Sequence, residues 1–147
     1  MKLVIGNDHA GVEFKKTILK HLESQGYEVI NVGVDVVESV DYPDIAKEVS
    51  KKIVDNEAQF GILICGTGIG ISIAANKVEG IRAALCHNEF TAKLCRQHNN
   101  ANIIALGARV IGDELAKACV DVFLNTEFEG GRHARRVGKI EDCGCGC

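Results

Sequence analysis

The sequence predicts an α/β protein with a five-stranded parallel sheet and helices on both faces. Two observations predict it. Five short apolar runs, at residues 2–6, 28–32, 60–65, 82–85 and 102–106, have the length and composition of buried strands. Amphipathic segments with helical spacing lie between them, and such alternation gives parallel strands joined by helical crossovers. In the first helix Phe14, Ile18 and Leu22 recur every four residues, with Lys15, Lys16 and Lys20 on other faces. Ile45, Val49 and Ile53 repeat that spacing in the second, and Pro43, the only proline, fits its first turn. The third run ends at Cys65, where the turn Gly66-Thr67-Gly68-Ile69-Gly70 leads into a helix. Residues 69–75 are apolar nearly all round, so that helix is expected to be the most buried. A fourth helix ends near His98, and Leu115, Cys119, Val120 and Phe123 mark a later one.

Composition narrows the function. The 147 residues are 46% apolar and 25% charged, which fits one globular domain over residues 1–147. A net charge of -3 favours neither nucleic acid nor an acidic membrane as partner. The opening Met1-Lys2-Leu3-Val4-Ile5-Gly6 is too short an apolar run for a signal peptide or a membrane span, so a cytoplasmic protein is expected. Seven cysteines in that setting read as reduced thiols. Residues 141–147 change character and end in Cys143-Gly144-Cys145-Gly146-Cys147. Alternating thiolates there suit a soft metal or a disordered, oxidisable tail; three ligands fall short of the standard four-ligand zinc site, and the disordered tail is the preferred reading.

Ligands of parallel sheets bind at the carboxyl ends of strands. Cys65 stands there, beside free N–H groups at a helix start, where a thiolate is favoured and an oxyanion finds donors. The other reading is that of a small buried hydrophobe. The glycine turn lacks the third glycine of a dinucleotide fingerprint and the Gly-Lys-Ser/Thr ending of a P-loop. It is an oxyanion cradle or a plain packing turn. Asp8 and His9 follow the first strand into the same mouth, to open a sugar ring, hold an anion or, for Asp8, cap the first helix. His98 suits an acid–base group or a helix C-terminal cap. Arg132 and Arg136, four apart, share a helix face and suit a phosphate or a solvated basic surface. Arg109, after the fifth strand, suits the same anion or a carboxylate partner. Cys86, Cys95 and Cys119 read as core residues.

Taken together, Gly6-Asn7-Asp8-His9-Ala10-Gly11, Asp41-Tyr42-Pro43, Ile64-Cys65-Gly66-Thr67-Gly68-Ile69-Gly70, Arg96-Gln97-His98-Asn99 and Glu129-Gly130-Gly131-Arg132-His133 resemble the type B ribose-5-phosphate isomerases. That family also includes galactose- and allose-6-phosphate isomerases. The resemblance runs from Met1 to about Ile140 and leaves out the cysteine tail. It implies a Rossmann-like three-layer α/β/α sandwich and a homodimer, sometimes paired into a tetramer. It also implies aldose–ketose isomerisation of a sugar phosphate, with neither cofactor nor metal. Each site in the family is shared: the thiol, the glycine loop and the Asp-His pair come from one chain, the counterparts of His98, Asn99, Arg132 and Arg136 from the other. One version of the family uses the cysteine as base; the other has serine there and a glutamate four residues later. This chain has Ile69 at the later position, so the resemblance assigns the base to Cys65. It further implies loop N–H groups from Gly66 to Gly70 on the enediolate, and His98 with Thr67 and Asp8 in ring opening. His9, Arg132, Arg136 and Arg109 would hold the phosphate, Asn99 and Tyr42 the sugar hydroxyls. A six-carbon sugar phosphate is the alternative substrate, and a non-catalytic phosphate- or nucleotide-binding module the alternative class.

Overall fold

A computed structural model describes residues 1–142. Its strands are β1 (Lys2–Asn7), β2 (Glu28–Gly33), β3 (Phe60–Cys65), β4 (Ala83–Leu85) and β5 (Ile103–Gly107). Its helices are α1 (Val12–Ser24), α2 (Tyr42–Val54), α3 (Ile69–Ala75), α4 (Glu89–Gln97), α5 (Asp113–Leu124) and α6 (Arg132–Glu141). All strand pairs are parallel, in the order β2-β1-β3-β5-β4. The expected α/β/α sandwich is thus present, with all five strands in one sheet.

Strand periodicity builds both outer layers. Leu3, Ile5, Ile62, Ile64, Ile104 and Leu106 face one side and pack with Phe14, Ile18 and Leu22 of α1, Ala92 and Cys95 of α4, and Cys119, Val120 and Phe123 of α5. The alternate residues Val4, Leu63, Cys65, Ile103 and Ala105 face the other side, against Ile45, Val49 and Ile53 of α2 and Ile71 and Ala75 of α3. A residue step of one reverses the face, so this alternation fixes the register. Cys86, Cys95 and Cys119 are buried, as their apolar settings implied.

The structure departs from the sequence reading in four places. β2 and β4 are edge strands with much of their length exposed, because β1 and β5 cover only one flank of each. α3 is not covered all round: Ile69 and Ile73, one turn apart, are 51% and 57% exposed, since only its Ile71–Ala75 side meets the sheet. Lys15 does not point to solvent. It is 0% exposed; its ammonium donates to the Val32 carbonyl at 3.2 Å and meets Asp35 Oδ1 at 2.8 Å. A buried ammonium persists only when such partners replace water. The expected tail start also shifts, because α6 runs through Glu141, and the Cys143, Cys145 and Cys147 reading falls outside the described residues.

The Lys15 hydrogen bond, followed by that of Asn31, holds the Asp35 carboxyl below its ordinary 3.8. A depressed carboxyl stabilises the fold above that value and ceases to do so as pH falls through its lowered one. Asp35→Asn is therefore expected to lower the urea midpoint at pH 7. That deficit should begin to shrink as titrations fall below pH 3.8; a deficit that stays constant however far the pH falls below 3.8 would deny the Lys15–Asp35 pair this role.

Candidate active site

Strand order reverses direction at β1, whose neighbours are β2 on one side and β3 on the other. The crevice at the carboxyl ends of β1 and β3 is the switch point of the sheet. Asn7 ends β1 and Cys65 ends β3, and the Asp8 N–H donates to the Ile64 carbonyl at 3.1 Å, drawing the two loops together. Asp8 Oδ1 accepts from the Ala10 N–H at 2.9 Å, capping the 3-10 turn His9–Gly11 that leads into α1. His9 Nδ1 accepts from the Val40 N–H at 3.4 Å, joining this loop to the segment before α2.

Cys65 Sγ is buried and accepts the Gly68 N–H at 3.1 Å. The Thr67 hydroxyl accepts the Ile69 N–H at 3.2 Å. Two of the donors expected for an oxyanion are thus engaged by the loop's own side chains, with Sγ itself the acceptor of one. The loop folds this way because Gly68 adopts φ 77° and a Cβ there would lie 2.9 Å from the Leu106 carbonyl carbon. Around the loop stand two further expected residues. The Tyr42 ring lies over Gly70, where a Cβ would come within 2.6 Å of it, and the Arg109 guanidinium lies over Gly66, 3.1 Å from a Cβ built there. Asp8, His9, Tyr42, Cys65, Gly66, Thr67, Gly68, Ile69, Gly70 and Arg109 therefore share one end of the sheet.

His98, Asn99, Arg132 and Arg136 do not join them. α4 runs back from the carboxyl edge, so its C-cap His98 lies at the amino edge, where Asn102 accepts the Gly61 N–H at 2.9 Å. Arg82, just before β4, donates to the Asn99 and Asn100 carbonyls at 3.1 Å and pairs with Glu141 at the end of α6. Buried Arg96 holds Asn100 Oδ1 at 2.9 Å and the Ala101 carbonyl at 2.7 Å. α6 presents exposed Arg132 and Arg136 beside this loop. The six residues of β3 separate the two clusters by roughly 16 Å at strand rise. The expected residues thus fall into two clusters at opposite ends of the sheet.

Sequence reading missed the residues that hold these loops. Arg82 stands at the head of the 82–85 run and Arg96 within the Arg96-Gln97-His98-Asn99 motif, with no role given to either. Asn7, fully buried, donates through Nδ2 to the Asp8 carbonyl at 2.9 Å and the Val34 carbonyl at 3.0 Å, which ties the β2–α2 loop to the site. Its place beside Asp8-His9 was the available signal. Among the described residues, His98, Glu129 and His133 bring possible metal-ligand atoms within 4.8 Å of one another. The two imidazoles, however, stack 9° from parallel. Their in-plane lone pairs run side by side instead of converging, and the trio has the geometry of a stack, not of a chelate.

The model of the Ribose/Galactose Isomerase family matches residues 3–140. The chain belongs to this family. Ribose-5-phosphate isomerase B of Escherichia coli is 50% identical to this isomerase over 139 residues, covering 95% of this chain and 93% of the relative. D-erythrulose-4-phosphate isomerase of Pectobacterium atrosepticum is 48% identical over 141 residues, covering 95% and 93%. The solved ribose-5-phosphate isomerase B of Clostridium thermocellum superposes with a TM-score of 0.95 at 55% identity, covering 97% of this isomerase and 96% of that chain. No helix among the described residues is long and apolar enough to cross a membrane.

The loop geometry separates two glycines of this isomerase. Gly68→Ala meets backbone and a left-handed φ and is expected to cost about 2 kcal/mol or more. Gly70→Ala meets only the movable end of Tyr42 and should cost under about 1 kcal/mol. Urea unfolding followed by circular dichroism checks the order, and a reversal would contradict the loop packing.

Proposed function

We propose that this isomerase interconverts ribose 5-phosphate and ribulose 5-phosphate through an enediolate, with Cys65 as the base and no cofactor. The observation that carries the proposal is the thiol at the switch point, bonded to a glycine-loop N–H, with Ile69 where a second base would have to stand. With the aldose open, the Cys65 thiolate takes the proton from C2. The electron pair moves into the C1–C2 bond and the C1 oxygen takes the charge, which loop N–H groups stabilise as they turn from Sγ and Oγ1 to substrate. The proton returns to C1 while the C2 hydroxyl proton passes to the C1 oxygen, leaving the ketone at C2. Ring opening precedes this, with His98 moving the proton between the anomeric hydroxyl and the ring oxygen, helped by Thr67 and Asp8. His9, Arg109, Arg132 and Arg136 hold the phosphate, and Asn99 and Tyr42 the hydroxyls. Charge-assisted bonds to the phosphate supply remote binding energy that aligns C1 and C2 over the sulfur.

The site is shared in a homodimer, which pairs further into a tetramer in the alternative assembly. Support comes from the two half-sites at opposite sheet ends: a second chain is needed to bring His98, Asn99, Arg132 and Arg136 to Cys65. Exposed Ile69 and Ile73, together with Leu85 against Gly68, give the thiol end an apolar surface for such pairing. The protein works in the cytoplasm, where its thiols stay reduced. A second reading keeps the chemistry and changes the sugar, to a six-carbon phosphate or, given the name of the Pectobacterium relative, to a four-carbon one.

Cys65→Ala is expected to lower kcat at least a hundred-fold while sugar phosphate still binds. Near-normal turnover in an assay over ribose, allose and galactose phosphates and erythrulose 4-phosphate would remove Cys65 as the base, and the same panel fixes the substrate. Mixing inactive Cys65→Ala and His98→Ala proteins should recover activity in hybrid dimers, which contain one intact site. Failure to complement after verified subunit exchange would place each site within one chain.

A further inference from the structure

The His98 and His133 imidazoles lie face to face, with centroids 4.3 Å apart and planes 9° from parallel. His98 caps α4 and His133 is the second residue of α6, so the stack joins the two elements that carry the second half-site. His133 is 6% exposed, and among the described residues its Nε2 has no hydrogen-bond partner; the nearest charge is the Glu129 carboxylate at 3.4 Å. Two stacked imidazoliums repel. One imidazolium on the face of a neutral ring is attracted to it.

The surroundings decide which ring stays neutral. Charged groups near the pair are Arg96 on α4, Arg82 before β4, Glu129 on the segment leading to α6, and Arg132 and Arg136 on α6. Arg96 and Arg82 are engaged with the backbone of residues 99–101. Burial first, then His98, then Arg132, pushes the His133 imidazole below its ordinary 6.5, with only Glu129 opposing. His98 is more open to solvent and caps the carboxyl end of α4.

From this geometry we infer that His133 is a positioning residue: a buried aromatic platform that fixes the His98 ring. The inference deepens the proposed function and rests on its reading of His98 as the ring-opening group. The platform is aromatic in kind, so another ring of similar size should serve and an aliphatic side chain should not.

The test compares the wild-type dimer with His133→Phe and His133→Leu; His133→Met is a second ring-less variant should Leu fail to fold. Two readouts are taken: the ring-current displacement of the His98 Cε1 proton resonance at fixed pH without substrate, and kcat and KM for ribose 5-phosphate. His133→Phe should keep that resonance displaced as in wild type, whereas His133→Leu or →Met should abolish the displacement. With the ring no longer fixed kcat should fall about ten-fold while KM changes little, and His133→Phe should restore most of the loss. An unmoved His98 resonance in the ring-less variants, or an equal change in His133→Phe, overturns the platform whatever the activity. A moved resonance with unchanged kcat upholds the platform and counts instead against His98 in ring opening.

Discussion

A parallel sheet sends every strand out at one edge and every returning helix back to the other, and this isomerase is organised by that constraint. Loops that follow strands carry Asp8, His9, the Cys65 glycine turn and Arg109. The loop that follows a helix carries His98 and Asn99, and α6 packs beside it. No local rearrangement of side chains can close a gap the length of β3. The placement of these residues at two edges is therefore a property of the topology, and the proposed shared site answers to it.

At both edges polar side chains hold the loops by their backbone carbonyls. At the thiol edge, Lys15 grips the end of β2 through the Val32 carbonyl and Asn7 the segment after it through the Val34 carbonyl, and His9 accepts the Val40 N–H farther along. At the opposite edge Arg82 and Arg96 grip residues 99–101 in the same way. Loops carry unsatisfied carbonyls where regular structure stops, and cationic or amide side chains satisfy them at the points where chemistry needs rigidity. Arg96 also lies over the Phe60 ring at 4.6 Å, so one guanidinium ties the loop to the core.

Much of this was legible in the sequence. Five apolar runs named the five strands, Pro43 marked the start of α2, and the place of Cys65 between run and glycine turn named the switch-point residue before any coordinate. What stayed hidden depended on partners far along the chain. Lys15 reads as a surface lysine because the Val32 carbonyl that solvates it lies 17 residues away. Exposure of Ile69 and Ile73 is invisible to periodicity, which reports apolar faces but not what covers them. The edge positions of β2 and β4 follow from strand order, and strand order leaves no mark on local composition. The separation of His98 from Cys65 needed the direction of α4, which sequence predicts, combined with the sheet, which it predicts only in kind.

The apolar flank of the glycine turn has a consequence for regulation by abundance. Ile69 belongs both to the loop that seats the sulfur and to the bare surface of α3. On the shared-site reading, a solitary chain leaves that flank wet and its thiol without a histidine opposite. Output per molecule would then rise more steeply than enzyme concentration near the association threshold, so that a cell making little of the protein would get less than its proportionate share of turnover.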